Sequence, residues 1–415
     1  MPPTLLKTRL SAMMFLQYAA WGAWLPFLWS FLSGHREMEP GQIGDMFAAG
    51  AVGAIIGPFV AGQIADRYFS TERFLALSHL IGAGLIWQLA SIDSYNGFLI
   101  FSLLYGMVYA PTLSLTNSLA FHHLEDKDRD FGKVRLWGTF GWIAVGLAMG
   151  QWLATLPADQ VIAGKADAFR LSAIISAVMG VYCFTLPNTP PSKASEGNAA
   201  LDACGEAARQ PLLSLFLLAI PVSCIHQFYF VHTESFLGSL QVAAPEWSKT
   251  LFGVGGGGLM TVGQMSEVLV LAAIPFLAKS YSRKTFLAVG LLAYGLRMAL
   301  FAYVDVIPLP VMTTLLAGIA LHGLCFGCFI FVAFMIVDEN TSDSVRASAQ
   351  NLFNLVIVGI GVIVGSKIAG SVAEWATSDA GTLDYTRLFS VPMWASVAVF
   401  ILLLLIYPSS RREVA

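Results

Sequence analysis

The feature that most constrains this chain is a series of long apolar segments. Twelve stretches each hold about 20 mostly apolar residues, which is the length a helix needs to cross a bilayer. Only 12% of the residues are charged, about half of what a soluble protein carries. This pattern predicts an all-α membrane protein and excludes a soluble enzyme, and the net charge of −3 excludes a basic nucleic-acid binder. The predicted spans lie roughly at 11–32, 42–64, 73–91, 97–120, 135–155, 169–187, 211–237, 257–278, 285–304, 310–336, 347–374 and 388–407.

The distribution of Lys and Arg between the loops predicts the orientation of these spans. With both termini in the cytoplasm, sixteen of the 23 basic residues fall on the cytoplasmic side and five on the outer side. Such an excess is typical of cytoplasmic loops. Lys7 and Arg9 precede the first apolar stretch, and no small-residue cleavage site follows it, so we expect a retained span. The sequence therefore predicts a multi-pass protein of the cell (inner) membrane with both termini cytoplasmic.

One polar stretch, 188–210, divides the chain into two groups of six spans. Its Pro, Ser, Ala and Gly content is typical of a linker. We therefore predict an N-terminal six-helix bundle over 1–187, a cytoplasmic linker over 188–210 and a C-terminal six-helix bundle over 211–415. Two parallel groups of six spans are the outline of a secondary transporter.

The loop after the second span, GQIADRYFSTER, carries a G-x-x-x-D-R pattern in Gly62, Asp66 and Arg67, followed by Arg73. In this place the pattern resembles the loop motif of the major facilitator superfamily. The resemblance implies two pseudo-symmetric six-helix bundles that work by alternating access, with these residues as a cytoplasmic gate. The alternative interpretation is an ordinary basic cytoplasmic loop.

The fifth span places three functional side chains on one helical stripe. Arg135, Thr139 and Trp142 are spaced i, i+4 and i+7. A guanidinium offers a planar donor fork and an indole offers a stacking face, so this stripe suits a polar solute that contains a ring. Alternatively, Arg135 extends to the cytoplasmic interface.

The eighth span holds Gln264 and Glu267, one helical turn apart. A carboxyl buried in a span favours its neutral form, so Glu267 is a candidate to take up and release a proton. The alternative is a carboxylate paired permanently with a cation such as Arg135 or Arg297.

The seventh span carries Gln227, Phe230 and Glu234 at i, i+3 and i+7. Gln227 and Phe230 lie in the middle of the span, where polar and aromatic groups are candidates for binding a solute. Glu234 lies toward its outer end, where an interfacial charge is an equally simple interpretation.

The tenth span brings His322 and Phe326 together at i and i+4. His322 lies close to Cys325 and Cys328, but a single helix rarely supplies three metal ligands. We therefore expect neither a metal nor a cofactor.

Beyond the superfamily, the chain resembles the nucleoside:proton symporter family over nearly its full length. The resemblance implies a transporter, not an enzyme, that imports a nucleoside with protons across the bilayer as a monomer. It assigns nucleoside binding to Arg135, Thr139, Trp142, Gln227, Gln264 and Glu267. Three positions depart from the family pattern: Phe230 replaces an amide, His322 replaces an aromatic hydroxyl, and Gly327 replaces an aspartate tied to proton use. The matching stretches are FLQYAAWGAWL (15–25), APTLSLTN (110–117), RLWGTFGW (135–142), GQMSE (263–267), IPFL (274–277), LRMALFAY (296–303) and RASAQ (346–350).

A second resemblance supports an alternative substrate. The stretch FGKVRLWGTFGW at 131–142 is also similar to the oligosaccharide:proton symporters, the group of lactose permease. That group likewise has a Glu on the eighth span and a His on the tenth, as Glu267 and His322 are here. We expect proton coupling at Glu267, aided by His322, and the second resemblance leaves a sugar as the alternative solute.

Overall fold

The computed structural model describes residues 3–65, 70–190, 199–241, 244–342 and 345–408. Within these ranges the regular secondary structure is helical, and the other element is an isolated antiparallel bridge between Thr377 and Leu383. The predicted helical class is therefore confirmed.

Nineteen α-helices are formed by the described residues. Most follow the apolar segments of the sequence, and the short ones lie in connections or at kinks within longer segments. They are α1 (Pro3–Trp24), α2 (Leu28–His35), α3 (Pro40–Ala65), α4 (Thr71–Leu89), α5 (Tyr95–His123), α6 (Lys127–Ala154), α7 (Val161–Gly164), α8 (Ala166–Cys183), α9 (Ala199–Ala207), α10 (Leu212–Leu240), α11 (Glu246–Phe252), α12 (Gly257–Leu277), α13 (Arg283–Ala302), α14 (Val311–Ala320), α15 (His322–Leu324), α16 (Val332–Glu339), α17 (Arg346–Asn354), α18 (Gly361–Ala376) and α19 (Tyr385–Ile406).

Eight of the described helical segments are long and apolar enough to cross a membrane. They are α5, α8, α10, α12, α13, the continuous segment Val311–Glu339, the continuous segment Ser348–Ala376, and α19. The other four predicted spans lie on α1, α3, α4 and α6, which have 22, 26, 19 and 28 residues. At 1.5 Å per residue, each of these has about the length that a bilayer requires.

The chain forms two compact units. The first unit comprises residues 1–195 and 230–261, and the second comprises 196–229 and 262–415. Helix α10 therefore contributes its first part to the second unit and its last part to the first unit.

The first unit is built from pairs of helices that pack along their lengths, α1 with α6, α3 with α5 and α4 with α8. Glycine permits the close approach of α1 to α6. A Cβ added at Gly141 of α6 would lie 2.2 Å from the carbonyl oxygen of Phe15 on α1, and one added at Gly22 would lie 2.7 Å from the Trp142 ring. The backbones of α1 and α6 are thus in contact at the level of the predicted binding stripe.

In the second unit, α13 packs against α19 and against a π-helical segment, Cys325–Phe331. This segment continues α15 into α16, so the tenth predicted span is one unbroken helix with a wide turn at its centre. Such turns recur at functional sites. A second π-helical segment, Leu355–Ile360, joins α17 to α18.

Part of the predicted linker, 199–207, is the short helix α9, which belongs to the second unit. Its Glu206 accepts hydrogen bonds from the backbone N–H of Ser342 at 3.1 Å and from the Ser342 hydroxyl at 2.7 Å. These bonds lower the pKa of Glu206. They attach α9 to the loop that follows α16.

Candidate functional site

In the first unit, the predicted stripe of α6 faces α1. Arg135, Thr139 and Trp142 are all partly buried, and the guanidinium carbon of Arg135 lies 3.8 Å above the centroid of the Tyr18 ring. A cation over an aromatic face is stabilised by about 0.5–2 kcal/mol. Arg135 is therefore held against α1.

An aromatic cluster surrounds the other end of this stripe. The Trp142 ring stands edge-on to Trp21 of α1, with 5.5 Å between centroids, and edge-on to Phe230 of α10, at 6.2 Å. Trp21 also lies 6.4 Å from Tyr18. The structure thus brings together Trp142 and Phe230, two of the predicted binding residues. It adds Tyr18 and Trp21, which lie in the stretch FLQYAAWGAWL and which no spacing pattern marks.

Two glutamines of the second unit differ in their hydrogen bonding. The Gln227 amide nitrogen donates to the hydroxyl of Ser366 on α18 at 3.0 Å. The side-chain oxygen of Gln264 is buried and has no hydrogen-bond partner among the described residues. A buried acceptor without a donor costs about 1–3 kcal/mol. Gln264 therefore offers an acceptor that a bound solute can satisfy.

The predicted proton-coupling residues lie together in the second unit. Nε2 of His322 is 3.6 Å from Oε2 of Glu267, and the imidazole stacks on Phe326 with 6.4 Å between centroids. A close contact between α12 and α15 sets this spacing. The Gly323 N–H donates to the Ser266 hydroxyl at 3.0 Å, and a Cβ at Gly323 would lie 2.5 Å from the Ser266 backbone.

Arg297 of α13 belongs to this cluster, although the sequence pattern does not assign it to the site. Its side chain is fully buried, and its Nη1 lies 3.1 Å from Nδ1 of His322. The guanidinium carbon lies 4.4 Å above the Tyr229 ring. The signal in the sequence is an arginine in the middle of a predicted span.

Glu234 is not an interfacial charge, which corrects that interpretation. Its side chain is 0% exposed and forms an ion pair of 2.9 Å with Lys165, which is 3% exposed. Lys165 also donates to the Ser30 hydroxyl at 2.7 Å, and Ser30 in turn donates to Glu234. All three residues belong to the first unit. The interpretation is wrong because Lys165 and Ser30 are far from Glu234 along the chain, so the sequence does not reveal the pair.

Most of the predicted gate cannot be placed. Asp66 and Arg67 lie outside the described residues, as does the environment of Gly62, and Arg73 is exposed in the first turn of α4. The gate stays a prediction.

The family pattern has an aspartate at the position of Gly327, and the structure shows what surrounds this glycine. It lies in the π-helical segment, where an added Cβ would be 2.7 Å from the Val270 side chain and 3.3 Å from that of Ile274. The surroundings of this position are apolar and filled. Without the aspartate of the family pattern, Glu267 stays the predicted carboxylate for proton coupling in the second unit.

Comparison with known proteins agrees with the resemblance seen in the sequence. A family model described as "Nucleoside H+ symporter" matches residues 5–412. The putative nucleoside transporter YegT of Escherichia coli K12 is 32% identical over 370 residues, covering 88% of this chain and 84% of the relative. The nucleoside permease NupG of the same organism is 27% identical over 396 residues, covering 93% and 92%. A crystal structure of the nucleoside transporter NupG superposes with a TM-score of 0.84 at 25% identity, covering 98% of this chain and 100% of that one.

Proposed function

The chain belongs to the nucleoside H+ symporter family, and from this premise we propose that its two residue clusters bind a nucleoside and couple its import to protons. The protein is a proton-coupled nucleoside transporter of the membrane and not an enzyme. The observation that carries the binding proposal is the buried, unpartnered oxygen of Gln264. A nucleoside offers hydroxyl and amino donors that satisfy such an acceptor.

We propose that the first unit recognises the planar base. A flat heterocycle stacks well on indole and phenol rings, and Tyr18, Trp21 and Trp142 supply these rings beside the Arg135 guanidinium. The full set of proposed binding residues is Arg135, Thr139, Trp142, Gln227, Phe230, Gln264, Glu267, His322 and Phe326.

For the proton we propose Glu267, with His322 as its neighbour. A carboxyl that binds a proton loses its charge. The empty carrier, with a charged Glu267, and the loaded carrier, with a protonated Glu267, therefore differ in their freedom to change conformation. Tight coupling requires that the charged, unloaded form change conformation slowly.

The proposed architecture is the twelve-helix major facilitator fold with bundles over 1–187 and 211–415 joined by 188–210. Its mechanism is alternating access. We further propose residence in the cell inner membrane as a monomer, both termini in the cytoplasm, and a cytoplasmic gate formed by Gly62, Asp66, Arg67 and Arg73.

Ligand-induced thermal stabilisation of the purified protein tests the substrate. A ligand at 100 times its dissociation constant adds about 2.7 kcal/mol to the stability. We expect this shift with at least one of uridine, adenosine or xanthosine, and not with disaccharides. Arg135→Ala should remove it, whereas Arg170→Ala, which changes a side chain paired with Asp167 on α8, should keep it. Stabilisation by sugars alone would overturn the nucleoside assignment.

Replacement of Glu267 tests the proton site. In proteoliposomes, Glu267→Gln should abolish uphill nucleoside accumulation driven by a proton gradient while substrate exchange between the two sides persists, because a neutral amide cannot carry a proton. Glu374→Gln, at an exposed position of α18, is the matched control. Persistent accumulation in Glu267→Gln would remove Glu267 from the proposal.

A further inference from the structure

Arg297 is an unusual residue for a spanning helix because its charged side chain is fully buried. Among the described residues, no carboxylate oxygen lies within ion-pair distance of its guanidinium, and its Nε and Nη2 have no hydrogen-bond partner. Its contacts are two aromatic faces, Tyr229 at 4.4 Å and Tyr294 at 5.1 Å, and one hydrogen bond to His322. Burying a charge inside a span costs free energy, so such a residue is a candidate for a specific function.

The hydrogen bond determines where the proton of His322 lies. A guanidinium has five N–H donors and no acceptor, and it does not lose its proton in proteins. Because Arg297 can only donate, the Nδ1 atom of His322 at 3.1 Å must be the acceptor. The neutral imidazole then carries its hydrogen on Nε2, the nitrogen that lies 3.6 Å from Glu267.

The same bond opposes a second proton on the imidazole. A proton added to His322 would have to enter at Nδ1, where it would displace the bond and place two positive charges about 3 Å apart in a buried site. Like charges at that distance strongly disfavour each other. The Glu267 side chain, in contrast, is 15% exposed.

We propose that Arg297 is a positioning residue of the proton site: it holds His322 as a neutral Nε2–H donor, so that the transported proton is carried by Glu267 and not by the imidazole. The proposal rests on the proposed function of Glu267. In each cycle one proton binds a carboxylate oxygen of Glu267 and later leaves it, while His322 keeps its Nε2 hydrogen throughout. The other titratable groups that face this network are His226, Tyr229, Tyr294 and Cys325.

His322→Gln tests the proposal without changing Arg297. The glutamine side chain accepts through its oxygen and donates through its nitrogen, as the neutral imidazole does, but it cannot take up a proton. Because His322 is also a proposed binding residue, we expect this variant to need more nucleoside for half-maximal uptake, but to keep the wild-type ratio of proton-driven accumulation to exchange, whereas His322→Leu should lose accumulation. If His322→Gln instead loses accumulation while exchange persists, as in Glu267→Gln, then His322 carries the proton and the proposal is overturned.

Arg297→Met tests the positioning role directly. Without the guanidinium, Nδ1 of His322 is released to accept a proton, so the pH profile of nucleoside uptake should gain a dependence on acidic pH that wild type lacks. The double variant Arg297→Met with His322→Gln should lack this added dependence. An unchanged profile in Arg297→Met would show that Arg297 is only structural. Arg387→Met, at the exposed start of α19, is the control.

The two levels of the proposal fail in different ways. If Glu267→Gln accumulates nucleoside, the proposed proton site is wrong. If Glu267→Gln behaves as proposed but His322→Gln loses accumulation, only the proposed role of Arg297 is wrong. If Arg297→Met does not fold, the His322→Gln measurement decides the proposal alone, with folding monitored by thermal unfolding and by exchange activity.

Discussion

Two buried charged clusters of this protein, one in each unit, are built in opposite ways. In the first unit the Lys165 ammonium contacts the Glu234 carboxylate directly at 2.9 Å, and the Ser30 hydroxyl is bonded to both. In the second unit an imidazole stands between the cation and the carboxylate: Arg297 contacts His322, and His322 lies 3.6 Å from Glu267.

The contrast indicates which of the two carboxylates is better placed to exchange a proton. A carboxylate in direct contact with a lysine gains strong stabilisation of its charged form and holds it. A carboxylate that faces a neutral imidazole is less strongly held in one form. Under the function proposed above, Glu234 has a structural role and Glu267 a transport role, although both are glutamates in predicted spans.

The largest expected effect comes from breaking the direct pair. Lys165→Met leaves the buried carboxylate of Glu234 without a counter-charge, which destabilises a protein by about 3–5 kcal/mol. Adding Glu234→Met should recover most of this loss, because a well-packed apolar pair is often as stable as a buried ion pair. Thermal unfolding of the purified variants in detergent measures both.

Lys249→Met is the matched control for this pair. Lys249 and Glu246 form an ion pair at 3.0 Å, but their side chains are 29% and 85% exposed, and an exposed pair contributes about 0–1 kcal/mol. Equal unfolding temperatures for Lys165→Met and Lys249→Met would contradict the contrast drawn between the two kinds of pair.

A smaller effect is expected from moving the imidazole relative to Glu267. A Cβ at Gly323 would lie 2.5 Å from the Ser266 backbone, so Gly323→Ala must push α15 away from α12, at about 1–3 kcal/mol of stability. Proton-driven uptake should fall more than exchange does. At Gly84 of α4 an added Cβ meets nothing within 4 Å, so Gly84→Ala should be neutral or slightly stabilising. If both variants behave alike, the contact does not set the spacing.

The smallest effect is expected at Asp130, in the first turn of α6 and outside the predicted span. Hydrogen bonds from Arg129 and Lys7 hold the pKa of Asp130 well below its usual range. A lowered pKa adds stability above the unfolded value of about 3.9, and this is lost as the pH falls further. Asp130→Asn should therefore unfold earlier than wild type at pH 7, and the difference should narrow below about pH 4. Asp159→Asn, at an exposed position, should show no such convergence.

The helical segments could be predicted from the sequence because they depend on local properties. Apolar length alone located the helices, and the sequence placed Arg135, Thr139 and Trp142 on one stripe because helical periodicity is fixed. The π-helical turn Cys325–Phe331 was not predicted. It depends on packing against α13 rather than on the propensities of its own residues.

The contacts of the candidate site were less predictable because they join residues far apart in the sequence. Tyr18 lies beneath Arg135, and Lys165 lies beside Glu234, at separations that no periodicity encodes. Arg297 stands out in the sequence as a cation in a span, but only its contact with His322 reveals a function for it. The chemistry of single residues identifies candidate site residues, whereas the residues that they contact are found only in the structure.

The glycine-mediated contact of α1 with α6 has a thermodynamic consequence. Because Gly22 and Gly141 leave no space between the helices, Tyr18 and Arg135 keep one mutual arrangement before and after a solute arrives. A rigid surface of this kind adds affinity by avoiding the entropy loss of ordering its side chains. A ligand displaces a conformational equilibrium only through unequal affinities, so a preformed surface of this kind contributes more to affinity than to a change of conformation.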